Sequence, residues 1–447
     1  MDKKFAMRLY WPVLTEQAFA VLLNFLAALM VRSVSQDAMA GVSLVGILNF
    51  LVMNAFQSVG AGVSVVVSHC IGRDDKKAAG QASAHSLTLV TYTSAAVGIV
   101  MALLATPILN ALFGAAEPPV LAAANTFFVY SCLSMPPLAI FSTLSGIIRA
   151  TGSTRPSMVA SMLSSLCYVA FGWLFINTPL QMGVAGAGLA LVISRIAPAA
   201  FLIVLFVRGK AGLRIPMPKP RVDMNVLRPV LKIAIPSGVD SLIFNGGKLV
   251  VNVFLSGMHA SVLVASSIAN NLSSIMNIPV TAMQIIAVTL VGQPYGRGDV
   301  PGARKQLVML TGASILLHTI SAIPFLIFAD PMINLFKPDT LTFNESKASI
   351  LLFVFASPLL WSPSFVTPQG LRAAGCPRFT MVVSIVSMFV LRVFGAWFFG
   401  VYLGMNLFGI WLSMILDWAG RSLFFVPRML NLVKSDARQR ARNGEAA

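Results

Sequence analysis

Charged side chains inside long apolar stretches are where this sequence could do chemistry. Three are carboxylates, Glu16, Asp240 and Asp417, and four are cations, Arg195, Lys248, Arg392 and Arg421. A charge within a bilayer-spanning segment is expensive and faces a partner or a water-filled cavity. Each is therefore half of an ion pair that holds helices together or part of a site for a cation or a proton. Glu16 and Asp240 both stand four residues after a proline, Pro12 and Pro236, and those prolines lie 224 residues apart. A carboxylate at the same place in two copies favours the cation or proton site. Lys248 follows Asp240 by eight residues, on a similar helical face. Asp417 and Arg421 are spaced to pair along one helix. Arg195 and Arg392 lack a partner nearby in sequence and must find one across helices, for which Glu16 fits Arg195.

Other chemistries lack residues. Cys70, Cys132, Cys167 and Cys376 sit in or beside apolar spans without metal-ligand spacing, and read as packed free thiols. His69, His85, His259 and His318 are scattered. Neither an HExxH pair nor a GxxxxGK[ST] phosphate loop is present, so no metal or nucleotide cofactor is expected. Uphill movement of a solute would have to be driven by an ion gradient, with H+ or Na+ as the coupling ion.

The elements that must position these charges are read from a repeat. Gly72-Arg73-Asp74-Asp75 returns as Gly296-Arg297-Gly298-Asp299, at an offset of 224. Arg149-Ala150-Thr151-Gly152 returns as Arg372-Ala373-Ala374-Gly375 at an offset of 223, and Gly186 as Gly409. The chain is a duplicated unit, and in an apolar protein such repeats suggest transport. It is 57% hydrophobic and 11% charged over 447 residues, which places it in a membrane. Twelve helical spans are expected, near 9–33, 43–70, 86–112, 120–148, 157–178, 183–207, 230–256, 262–292, 306–329, 348–371, 379–401 and 406–430. The first is too long, and too directly followed by another, to be a cleaved signal peptide. The fold class is an all-α membrane protein of two six-helix lobes. Six is even, so both lobes enter the membrane in one orientation, related by a pseudo-two-fold axis along its normal.

The expected domains are 1–207 and 230–433, joined by a basic, Pro-rich linker over 208–229 with Pro216, Pro218 and Pro220, and followed by a tail over 434–447. Corresponding helices of the lobes also carry breaks: Pro12 with Pro236, Pro107 with Pro324, and Pro136-Pro137 with Pro358 and Pro363. The formal net charge of +17 gathers on one side. Lys3, Lys4, Arg8, Arg73, Lys76, Lys77, Arg149, Arg155, Arg297, Arg304, Lys305, Arg372 and Arg378 share that side with the linker and tail, leaving Arg32, Lys337 and Lys347 opposite. This is the positive-inside pattern of a multi-pass plasma (inner) membrane protein with both termini cytoplasmic. It makes lipid, not nucleic acid, the partner of the basic residues.

Several of these residues together resemble a known family. Pro12-Val-Leu-Thr-Glu16-Gln17 leading to Ala38-Met-Ala-Gly-Val-Ser-Leu44 is similar to the first helix and turn of multidrug and toxic compound extrusion (MATE) transporters. Asn49, Gly60-Ala61-Gly62 and Val66 to Arg73 resemble the second helix. Pro236-Ser-Gly-Val-Asp240, Gly247-Lys248-Leu249 and Val291-Gly292-Gln293 resemble the seventh and eighth, and Gly409-Ile410-Trp411 with Asp417-Trp418 the twelfth. The resemblance implies a two-lobed exporter with a central cleft and alternating access. It would expel small organic, cationic, amphipathic compounds in exchange for H+ or Na+, act as a monomer and catalyse no reaction. It assigns Asp240 to coupling or substrate binding. The family's first-helix Asp falls at Ala27 here, so a coupling site built on that Asp is absent from the first lobe.

Two rivals remain. A lipid-linked saccharide flippase of the same superfamily would share the helices and show a more cationic cavity, to which Lys248, Arg195 and Arg392 could contribute. A membrane-embedded transferase would need clustered His and acidic residues, which the sequence does not offer.

Overall fold

Each Gly-Arg motif ends one long helix and starts the next. In the computed structural model, which describes residues 3–31, 36–114, 116–177, 181–209, 213 and 223–434, α1 (Lys3–Val31) is followed by α2 (Gln36–Gly72). A turn at Arg73–Asp75 leads into α3 (Lys76–Leu103), where the Asp75 carboxylate accepts the Ala78 amide at 2.8 Å. The second copy repeats this closure. There α10 (Ala260–Gly296) ends and α11 (Val300–Ile327) begins, with Asp299 accepting the Gly302 amide at 2.8 Å. Such caps satisfy orphan amides of a helix start. Both turns need one residue in the left-handed region, filled by Asp74 at φ 59° and by Gly298 at φ 84°.

Between these pairs run α4 (Ala105–Phe113), α5 (Pro118–Leu133), α6 (Met135–Ala150), α7 (Arg155–Asn177), α8 (Gly183–Val207) and α9 (Met224–Ser256). After α11 come α12 (Ala329–Asn334), α13 (Thr340–Ala373), α14 (Pro377–Tyr402) and α15 (Asn406–Leu430). The described residues are helical, without a strand. Nine of these helices are long and apolar enough to cross a membrane, and ten if α5 and α6, bent by 46° at the Ser134 break before Pro136-Pro137, count as one span. The other two expected spans are α1 and α9, the opening helices of the two copies, which carry Glu16 and Asp240. Helix thus occupies all twelve expected spans.

By contacts the chain divides into two compact units, one of Trp11–Gly238 and the other of Met1–Tyr10 with Val239–Ala447. The first unit packs around Val63, Leu144, Ile147, Ile148 and Leu202, with a second core at Phe127, Phe128 and Met135. Small residues bring neighbouring helices close in both units. A Cβ on Gly186 would fall 3.1 Å from the Phe175 carbonyl, and one on Gly409 would fall 2.6 Å from the Phe399 carbonyl. In the second unit, α14 leaves α geometry and is π-helical over Met388–Val393 and Ala396–Tyr402. Pro216, Pro218 and Pro220 of the expected linker, and all but the first residue of the expected tail, lie outside the described residues, as does the Ala27 side chain.

Candidate functional site

The first-unit carboxylate meets the arginine of the other repeated motif. Gly152, at φ 87°, follows the end of α6 and leaves Arg149 in its last turn. There Arg149 Nη1 stands 3.5 Å from Glu16 Oε1, while Ser161 Oγ of α7 donates to the same oxygen at 2.8 Å. Glu16 is buried. The expected Glu16–Arg195 pair does not form. Arg195 Nη1 instead donates to Ser134 Oγ at 2.5 Å, at the bend between α5 and α6. Arg149 takes Glu16 because the close of α6 delivers it there.

The second unit repeats the pairing of acid with arginine. Gly375, at φ 78°, follows the end of α13 with Arg372 in its last turn, and Arg372 Nη2 donates to Asp240 Oδ2. Ser384, the counterpart of Ser161 at an offset of 223, stands beside the same carboxylate. Asp240 is 7% exposed, so this pair is held largely out of water. Sequence reading singled out both carboxylates, and treated both arginines only as repeat landmarks and orienting charges. That acid and arginine recur together in both copies was the available signal for their pairing.

Asp240 and Lys248 do not form one site. Eight residues of α-helix advance about 12 Å and turn the second side chain about 80° from the first, so the faces differ more than expected. Asp240 is held by Arg372, whereas Lys248 lines a cavity of about 600 Å³ inside the second unit. The cavity is walled by α9, α10, α13, α14 and α15, with Phe353, Trp361, Phe365, Trp411 and Trp418 as its aromatic surface and Asn252, Asn270, Asn277 and Gln284 as its amides. Arg392 reaches it from the π-helical part of α14. No Asp or Glu lines it among the described residues. His318 meets Trp361 edge to face, as Phe353 meets Trp411 and Trp418, while Trp361 and Phe365 lie tilted by 31°.

Beside this cavity the expected Asp417–Arg421 pair forms, with Arg421 Nε 2.9 Å from Asp417 Oδ1. Ser387 Oγ donates to the same oxygen at 2.5 Å, and Arg392 Nη1 stands 3.7 Å from Oδ2, which gives Arg392 its partner across helices. Asp417 is fully buried. Three cations also surround one ring. Lys248 Nζ lies 4.6 Å from the Phe244 centroid, and the guanidinium carbons of Arg421 and Arg392 lie 4.7 and 5.8 Å from it. Neither Phe244 nor Lys248 belongs to the duplicated scaffold, since the first copy has Ala20 and Asn24 at those places. Among the described residues no group of three or more His, Cys, Asp or Glu side chains could hold a metal ion.

Buried ionic clusters inside a duplicated, multi-pass helical chain, next to a cavity of ligand size, define the class of polytopic membrane transporters. The MatE family model matches residues 12–174 and again 236–398, once per copy and in the same register as Pro12 and Pro236. The chain belongs to the MatE family, and is a membrane transporter, not an enzyme. Among its relatives is the uncharacterized transporter YisQ of Bacillus subtilis, 25% identical over 93% of this chain and 92% of that one. Another is the probable multidrug resistance protein NorM of Thermotoga maritima, 24% identical over 95% of this chain and 92% of that one. A solved structure of a MOP superfamily transporter from Pyrococcus furiosus, described as having a binding pocket of reversed polarity, superposes with a TM-score of 0.87. That similarity covers 96% of both chains at 18% identity, and concerns the fold.

Proposed function

We propose that this protein is a secondary active exporter of amphipathic organic compounds. It works as a monomer by alternating access and is driven by inward movement of H+ or Na+. It resides in the plasma (inner) membrane with both termini in the cytoplasm, and its two lobes, 1–207 and 230–433, are joined by the 208–229 linker. The observation that carries this reading is the cavity of about 600 Å³ with aromatic walls and scattered amides. A space of that size suits a drug-sized molecule and grips it mainly by apolar contact. The relatives named for multidrug resistance point the same way.

Asp240 is the proposed coupling residue. Neutralising it with a proton, or screening it with Na+, would free Arg372, in the last turn of α13, from its ion pair, a local charge event that biases a larger rearrangement. The supporting observations are its burial and its ion pair with Arg372. Asp417 is held by two arginines and a serine hydroxyl, which suits a fixed pair.

Transport of a fluorescent dye into proteoliposomes, under separately imposed proton and sodium gradients, tests the proposal. Dye movement driven by at least one of these gradients is expected, and none under either rejects the exporter reading. The absence of acidic lining among the described residues also supports a second reading, the lipid-linked saccharide flippase. Rescue of a cell-wall precursor translocation defect would favour it over the exporter.

A further inference from the structure

The resemblance to cation exporters and the cavity in the second unit disagree in sign. Lys248 and Arg392 line it, Arg421 lies against Phe244, and among the described residues Asp417 is the carboxylate that forms ion pairs with these cations. Asp417 is already engaged by Arg421 at 2.9 Å and by Ser387 at 2.5 Å. Arg392 reaches it only at 3.7 Å and keeps its Nε without a hydrogen-bond partner. The Trp418 indole nitrogen, on the wall of the same cavity, is also without one. Lys248 has the Phe244 ring face and no carboxylate, among the described residues, as a close partner. Arg421 Nη2 is a further donor left without a partner, while Asn277 Oδ1 and Asp417 Oδ2 are the acceptors left so. The charge on the lining itself is positive, from Lys248 and Arg392. An organic cation entering would meet like charges in a medium of low dielectric, where repulsion is strong.

We infer that this cavity binds amphipathic organic anions, with a carboxylate or phosphate head on Lys248 and Arg392 and an apolar or aromatic body against Phe353, Trp411 and Trp418. The assignment rests on the exporter reading for its transport consequence, but not for binding itself. Donors and rings that face one space give the head orientation and the body affinity. The first copy has Ala20 and Asn24 in place of Phe244 and Lys248, so the folding of the repeated unit does not require these two side chains. An inside-negative membrane potential would itself favour outward movement of such an anion, by about 2.3 kcal/mol per charge per 100 mV. A coupling cation and an anionic substrate attract each other, so antiport requires that they bind apart. Asp240 and Lys248 stand about 12 Å apart along α9, and linkage between them must pass through conformation.

The test uses the full-length protein in detergent, and then in proteoliposomes, with fluorescein as the anionic probe and ethidium as the cationic one. Anisotropy titration should show fluorescein binding, weakened roughly tenfold or more in Lys248→Gln, as loss of a charge-assisted bond implies. Lys248→Arg should retain it, and Lys248→Glu should reverse the preference towards ethidium. A monodisperse elution profile and an unchanged melting temperature guard against misfolded variants. Ethidium bound in preference to fluorescein by the unaltered protein, or fluorescein affinity indifferent to Lys248→Gln and Lys248→Glu alike, would overturn the assignment while leaving an exporter in place. Fluorescein bound with the expected dependence on Lys248, but moved by neither gradient, would keep the anion site and reject the exporter. Binding of neither probe would overturn the anion site. Tight binding of a polyprenyl pyrophosphate with none of fluorescein would also overturn it, in favour of the flippase.

Discussion

At the scale of single residues, the acid–arginine–serine clusters are where a structural and a functional role must be separated. Removing one partner of a buried pair typically destabilises by about 3–5 kcal/mol, because the other charge is left unpaired. Arg372→Gln is therefore expected to lower the melting temperature sharply. Asp240→Asn leaves Arg372 unpaired as well, yet if Asp240 carries coupling it should abolish gradient-driven transport even in the fraction that folds and inserts. The measurement is dye flux normalised to folded protein. Normal pumping by Asp240→Asn would move the coupling site to Glu16. Glu16→Gln should impair flux less, since its copy has Ala27 where a first-helix Asp would stand. These carboxylates were legible from the sequence because burial of a charge is rare enough to stand out. Their partners were not, because Arg149 and Arg372 sit 133 and 132 residues from Glu16 and Asp240 and equally satisfy a reading as orienting charges.

At the scale of elements, long apolar runs and paired turn motifs made the helices and their order readable before any coordinates. The turns also make a prediction. Asp74 and Gly298 occupy the same left-handed position, at φ 59° and 84°. A β-branched residue there is strained by about 1–2 kcal/mol, so Gly298→Val should lower thermal stability, with Gly298→Asn close to neutral. A chemical melt of the purified variants checks the order. A side chain at Gly409 would press on the Phe399 backbone, so Gly409→Leu should force α14 from α15 and abolish substrate binding, read by the same anisotropy titration. The cavity was less legible. Its lining is spread over five helices, and periodicity within one helix says nothing about which faces of five converge.

At the scale of the whole molecule, the charge bias predicts sidedness. Single cysteines at positions 77 and 304 should resist impermeant reagents in intact cells, and those at 117 and 339 should react, in a background lacking the four native thiols. Outside labelling of position 77 would reverse the orientation. The transporter class followed from duplication and hydropathy, both visible in composition and spacing. The sign of the cavity's charge did not, because family resemblance and a cavity's charge are separate facts. Net charge could not stand in for the cavity, since most of the basic residues flank the spans.

The π-helical stretch of α14 has a further meaning when the two copies are laid side by side as a ruler. Ser161 and Ser384 correspond at an offset of 223, yet Phe175 and Phe399, which press on the equivalent glycines, correspond at 224. The second copy has therefore gained one residue between those landmarks, and α14 is where i→i+5 turns absorb it without breaking the helix. The first copy spans the same interval in the unbroken α-helix α7. The offset returns to 223 at Gly186 and Gly409, so the extra residue is confined to α14, where it turns the segment that carries Arg392. Deleting Phe389 should reverse that step. The shortened helix is expected to regain α geometry and hold its stability in a thermal melt, while fluorescein affinity falls as Arg392 turns about 100° from its present direction.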